Sequence, residues 1–178
     1  MTSLKKNFIY NVVYQMLLII LPLITAPYIA RTLGAEGVGI YSYTYSVAQY
    51  FLLFAMLGIS NHGNRSIAAV REDDCKLSRT FWSIYSIQAF MYVLAIIAYL
   101  IYLFAFNVDN KTIVAIQFIY VVSGALDISW YFFGTEQFKI TVTRNMIIKI
   151  ATVILMFIFV HNPGDLAKYT VIMAGGTF

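Results

Sequence analysis

Between Phe81 and Phe106 the chain is an almost unbroken apolar run of 26 residues. At about 1.5 Å per residue, that is enough to cross the roughly 30 Å hydrocarbon core of a bilayer as a helix. Comparable runs recur at 8–30, 40–60, 113–134 and 146–160, and a further one opens at 169 and reaches Phe178. The spacing predicts an all-α fold, a polytopic transmembrane helix bundle of about five complete spans and a truncated sixth at 169–178, forming one transmembrane unit over 1–178. The last run is about half of what a crossing needs, so the chain is expected to be the N-terminal part of a longer membrane protein.

Composition excludes the competing classes. Of the 178 residues, 61% are hydrophobic and 11% charged, against about 45–50% and about 25% in a soluble domain. With 14 Phe, 14 Tyr and only 3 Pro, the chain is far from the signature of disorder. Six spans leave no length for a soluble catalytic domain. The lone cysteine, Cys75, has no partner for an internal disulfide. Lys5 and Lys6 precede an apolar run much longer than the roughly 7–15 residues of a signal-peptide core, which argues for a retained first span.

Charge then gives orientation. The net charge of +4 in a membrane chain reports topology rather than affinity for nucleic acid. If spans alternate from an inner N-terminus, the inner segments hold Lys5, Lys6, Arg65, Arg71, Lys76, Arg79, Lys139, Arg144 and Lys149, and the outer ones Arg31, Lys111 and Lys168. Such a bias toward the inner loops places the N-terminus in the cytoplasm.

Polar side chains within the spans need a partner or a wet cavity. Asn11, Gln15, Pro22 and Thr25 fall on one face of the first span, and Ser42, Ser46 and Gln49 on one stripe of the second. Two readings fit: a hydrated cavity, or interhelical hydrogen bonds that hold the bundle together. Pro22 and Pro27 interrupt the first span's backbone bonding. Asp127 is expected well inside the fourth span, where a carboxylate costs about 2.5–3.5 kcal/mol on insertion scales. It either pairs with a base or is protonated and titrates during a transport cycle, and Ser123, Gly124 and Tyr131 share its side of the helix. Tyr41, Tyr43, Tyr45, Tyr50, Trp82, Trp130, Tyr131 and Phe132 suit an interfacial belt or a face for stacking sugar rings.

Nucleotide-driven and zinc chemistry lack their motifs. No G-x-x-x-x-G-K-[ST] loop and no H-E-x-x-H pair occurs, so no cofactor, no metal site and no catalytic residue is expected. His62 and His161 fall in loops assigned to opposite sides, and Gly34, Gly37 and Gly39, with no preceding strand, read as a tight interhelical turn rather than a phosphate loop.

Four stretches carry a resemblance. PYIARTLGAEGVGIY at 27–41, LGISNHGNRSIA at 57–68, DISWYFFGTEQF at 127–138, and Arg144-Asn145 followed by Ile147-Ile148-Lys149 resemble, in order and spacing, bacterial polysaccharide flippases. These are the Wzx-type O-antigen and capsule repeat-unit exporters of the multidrug/oligosaccharidyl-lipid/polysaccharide superfamily. Ala35 stands where that family commonly has proline. The resemblance implies the N-terminal lobe of a two-lobed, MATE-like transporter in the bacterial cytoplasmic membrane. It implies that the whole protein moves an undecaprenyl-diphosphate-linked oligosaccharide to the outer leaflet by alternating access, for lipopolysaccharide or capsule biosynthesis. The implied partners are membrane lipids, the lipid-linked oligosaccharide, the C-terminal lobe of the same protein, and a polysaccharide polymerase and glycosyltransferases.

A diphosphate substrate needs cations on the cavity wall, and arginine suits phosphate because its planar fork binds two oxygens at once. Arg31, Arg65 and Arg144 adjoin the polar stripes and are the candidates for head-group contact, against snorkelling to the interface or anchoring on lipid phosphate. Asn11, Gln15 and Gln49 are the candidates for hydrogen bonds to sugar. Two other functions stay open: a drug or cation antiporter with Asp127 as the coupling carboxylate, and a non-transporting scaffold for polysaccharide assembly.

Overall fold

The computed structural model describes residues 2–106 and 109–177, and the side chains of all of these except residues 2–11, 13, 14, 17, 18 and 138. Among them every regular element is helical: α1 (Thr2–Ala55), α2 (Ile59–Val70), α3 (Asp74–Ala105), α4 (Lys111–Ala125), α5 (Ser129–Gly134), α6 (Phe138–Phe159) and α7 (Leu166–Gly175), with a 3₁₀ turn at Pro163–Asp165. Three segments are long and apolar enough to cross a membrane: Asp74–Ala105, Lys111–Gly134 and Lys139–Phe159. The chain is a helical transmembrane bundle.

The turn expected at 31–39 contracts to one residue. Helical geometry runs up to Gly34 and resumes directly after it, while Gly34 itself has φ 71° and ψ 176°, a region open essentially to glycine alone. Gly37 and Gly39 stay helical, so the sharp re-aiming of α1 belongs to Gly34.

The connection expected at 61–80 contains a helix of its own, α2. Ile59, Gly63 and Ile67 recur every four residues and so share one face. Gly63 and Ile67 are buried, and Ile67 lies in a cluster with Ile84 and Trp130. A Cβ on Gly63 would sit 2.7 Å from the Trp130 ring, so only glycine lets the helix lie flat on the indole. The exposed face carries His62, Asn64 and Arg65. α3 then starts seven residues before the apolar run, because Asp73 caps it by accepting from the Lys76 N–H at 3.0 Å. Likewise α6 begins at Phe138 rather than near 146.

The fourth span is interrupted. α4 ends at Ala125, α5 begins at Ser129, and Asp127 sits in the break. Breaking a helix frees main-chain groups that must be paired inside hydrocarbon. Gln88, fully buried on α3, supplies the partner: its Nε2 donates to the Asp127 carbonyl at 2.9 Å and its Oε1 accepts from Trp130 Nε1 at 2.8 Å.

The bundle is apolar outside and selectively polar within. Phe104 is 79% exposed while Gln88 and Thr170 are at 0%, the reverse of a soluble protein and what lipid as solvent demands. Besides the cluster around Trp130, its core forms where α1 meets other helices: Ala48 with Tyr99, Val114 and Val121 of α3 and α4, and Ile29 and Leu33 with Met156 and Val160 of and beside α6. Tyr28 fixes the second contact by donating to the Val160 carbonyl at 2.6 Å. Between α6 and α7, Asp165 accepts from the N–H groups of His161 and Asn162, each at 3.0 Å, and pairs with Lys168 at 2.7 Å. The Lys168 ammonium and these two N–H donors hold its carboxyl down at about 2.

Candidate functional site

Two adjoining cavities open between α1, α4, α6 and α7. The first, about 350 Å³, lies toward the Gly34 kink and is lined by Tyr41, Tyr45, Gln117, Tyr120, Lys149 and Tyr169 among others. The second, about 430 Å³, lies toward the break in the fourth span and is lined by Gln49, Tyr92, Ser123, Asp127, Arg144 and Asn145 among others. Tyr120, Gly176 and Thr177 line both, so the two adjoin along a shared wall and together form a groove.

Helical spacing sets the lining. On α1, Tyr41, Tyr45 and Gln49 follow one another at four residues and so share one stripe. Gln49 Nε2 donates to the hydroxyls of Tyr45 at 2.6 Å and Tyr120 at 2.5 Å, and those hydroxyls lie 3.1 Å apart. This network ties α1 to α4 at the waist of the groove. Ser123 Oγ meets Thr177 Oγ1 at 2.8 Å and ties α4 to the end of α7.

The charges in the groove differ in how they are held. Asp127 accepts from the N–H of Ser129 at 2.9 Å and from its hydroxyl, so its carboxylate serves as a local cap and forms no ion pair among the described residues. Arg144, on α6, hydrogen-bonds among the described residues to the neighbouring Asn145 amide oxygen, at 3.2 and 3.3 Å. Among the described residues neither Arg144 nor Lys149 has a carboxylate partner; the ion pairs there are Arg71 with Glu136, Lys76 with Asp73 and Lys168 with Asp165. A guanidinium left with free N–H groups beside a cavity is a ready partner for an anion. No group of three or more histidine, cysteine or carboxylate side chains that could hold a metal occurs among the described residues.

The structure brings together Gln49, Arg144 and Asp127 in one cavity. Arg31, beside the Gly34 kink, and Arg65, on the outer face of α2, are exposed and line neither cavity. Gln15 is exposed and lines neither as well, and the Asn11 side chain lies outside the described residues. Pro22 and Thr25 do line the first cavity. On the second arm of α1 the polar stripe is rotated from that expected. Ser42 and Ser46 are exposed, the Ser46 hydroxyl bonding back to the Ser42 carbonyl at 2.7 Å, and tyrosines accompany Gln49 inward. Tyr43 and Tyr50 are 64% and 65% exposed, so an interfacial role fits these two and not Tyr41 and Tyr45. Sequence reasoning missed Gln88, Gln117 and Tyr120. An isolated amide in an apolar run was the available signal for both glutamines.

The described residues thus form a helical transmembrane bundle with a polar groove and, on its wall, cations that have no carboxylate partner among them. Residues 4–178 match the family described as "Polysaccharide biosynthesis protein", and the chain belongs to that family. It is also 29% identical over 171 residues to a protein of Escherichia coli (strain K12) named "Putative O-antigen transporter", the match covering 93% of this chain and 40% of that one. The chain thus spans about two fifths of the length of this relative. No solved structure matches it significantly.

Proposed function

We propose that this chain forms part of the wall of a polysaccharide flippase, which carries an undecaprenyl-diphosphate-linked oligosaccharide from the cytoplasmic to the outer leaflet by alternating access. The family match along residues 4–178 carries the reading. The groove supports it: Arg144 and Lys149 line it without carboxylate partners among the described residues, and against the single Asp127 carboxylate this leaves a net charge of +1 on the lining for a diphosphate. A cation antiporter is less well supported by that balance. The two arms of α1 about Gly34 and helix α7 act as further spans, the N-terminus is cytoplasmic, and the protein works in the bacterial inner membrane. A C-terminal lobe supplies the opposite wall, and glycosyltransferases and a polymerase act before and after it.

Complementation tests this. The complete protein, expressed in a strain lacking the flippase of the same polysaccharide pathway, restores surface polysaccharide, and Arg144→Ala lowers that export at least about tenfold at equal protein level, the loss of a charge-assisted contact. Absence of restoration by the unsubstituted protein overturns the reading. Full export by Arg144→Ala removes this arginine from the substrate path.

A further inference from the structure

Gln117 is 1% exposed and its Nε2 has no hydrogen-bond partner among the described residues. The contrast with Gln88 is informative. Both are buried amides on membrane-crossing segments, yet Gln88 is bonded at both ends within the bundle, whereas Gln117 faces the cavity toward the Gly34 kink with its donor unused. Leaving a buried amide donor unmade is costly, so such a group in a roomy polar site points to a ligand or to water as its partner.

The surroundings narrow the ligand's chemistry. The cavity's volume, about 350 Å³, falls within the roughly 300–1,000 Å³ of small-molecule sites. Tyr41 packs edge-on to Tyr169 at 4.7 Å and parallel to Tyr45 at 5.7 Å, and Tyr45 meets Tyr120 at 5.1 Å, so aromatic faces from α1, α4 and α7 surround the space. The hydroxyls of Tyr45 and Tyr120 are engaged with Gln49, while those of Tyr41 and Tyr169 have no protein partner among the described residues. Lys149 is the one charged side chain in the described lining, which disfavours a cation. An alkyl chain would leave the amide and the free hydroxyls unpaired. A ring with apolar C–H faces and hydroxyl edges satisfies both the aromatic and the hydrogen-bonding surfaces.

We propose that this cavity is a carbohydrate subsite, in which Gln117 and the hydroxyls of Tyr41 and Tyr169 hydrogen-bond the hydroxyls of a sugar ring that lies against the tyrosines. The proposal rests on the flippase reading and deepens it: the cavity beside Arg144 adjoins this one along Tyr120, Gly176 and Thr177, so a lipid with its diphosphate near Arg144 and its first sugar beside Gln117 would occupy neighbouring sites.

Binding by the purified complete protein in detergent tests this, with two probes: bare undecaprenyl diphosphate, and the same lipid carrying one N-acetylglucosamine. The unsubstituted protein binds the sugar-bearing lipid more tightly. Gln117→Leu reduces that preference about fivefold to tenfold, the loss of one buried hydrogen bond, and leaves the bare lipid's affinity unchanged, which also shows that the variant is folded. Tyr169→Phe, which removes a hydroxyl and keeps the ring, lowers the preference by a smaller factor and decides the matter where Gln117→Leu does not accumulate. An equal affinity for both probes, or variants that leave the preference intact, overturns the subsite and assigns Gln117 to water while the flippase reading stands. Binding of neither probe overturns the flippase reading and the subsite with it.

Discussion

Trp130 Nε1 donates to Gln88 Oε1 at 2.8 Å, and the same amide's Nε2 reaches the Asp127 carbonyl at 2.9 Å, so one buried side chain on α3 pins both sides of the break between α4 and α5. Gln88→Leu leaves an indole N–H and a main-chain carbonyl unpaired in the interior, each at about 1–3 kcal/mol. The expected outcome is a loss of about 2–6 kcal/mol, read as earlier unfolding in detergent. Unchanged unfolding would show that water replaces the amide at both positions.

Gly63 meets the Trp130 ring so closely that an added Cβ would lie 2.7 Å from it. The indole is 1% exposed and its nitrogen is already tied to Gln88, so it cannot swing aside. Gly63→Ala is therefore expected to lift α2 from the bundle at a cost of about 1–3 kcal/mol, the usual range for overpacking. Faster proteolysis within 59–70 than in the unsubstituted protein checks this. Gly39→Ala, where a Cβ meets nothing within 4 Å, is the helical control and leaves cleavage at α2 unchanged.

The bundle was legible because hydrocarbon imposes long apolar runs, and Phe81–Phe106 or Ile113–Gly134 announce themselves by length alone. Helix ends were less so. Charged residues such as Asp74, Lys76 and Arg79 read as a loop, although Asp73 caps a helix that carries them, because the polar end of a spanning helix and a loop have the same composition. α2 was missed for a related reason: its contact face is only Ile59, Gly63 and Ile67, and a glycine that packs looks like a glycine that turns. In the groove, Gln49, Arg144 and Asp127 were recoverable, being polar residues near apolar spans. Arg31 and Arg65 were equally plausible from charge alone, and only the direction of their helix faces separates them from Arg144. Tyr41 and Tyr45 could not be told from Tyr43 and Tyr50 by residue type; the four-residue step to Gln49 distinguishes them.

Cys75 is exposed and unpaired in the charged first turn of α3, and it is the chain's single cysteine. On the proposed orientation, with most of the basic residues in the inner loops, this thiol is expected to face the cytoplasm. A membrane-impermeant maleimide applied to intact cells is expected to leave it unlabelled and to label it after permeabilisation. A Cys75→Ser, Asp109→Cys protein should show the opposite, reacting from outside. Labelling of Cys75 in intact cells would invert the orientation.

Asp165 links the end of α6 to the start of α7 through Lys168 and the N–H groups of His161 and Asn162. These contacts lower its carboxyl from 3.8 to about 2 in the folded protein. The folded state therefore favours the ionised form. The stabilisation is fully present above the ordinary carboxylate range and is lost as pH falls through about 4 toward 2. Asp165→Asn removes the ion pair and part of the cap at neutral pH, so it is expected to unfold more easily there. The gap between it and the unsubstituted protein stays constant from pH 7 to about pH 5 and narrows below about pH 4. Thermal unfolding in detergent across this range measures the gap, and a gap that stays constant below pH 4 would mean that the carboxylate is held by none of these donors.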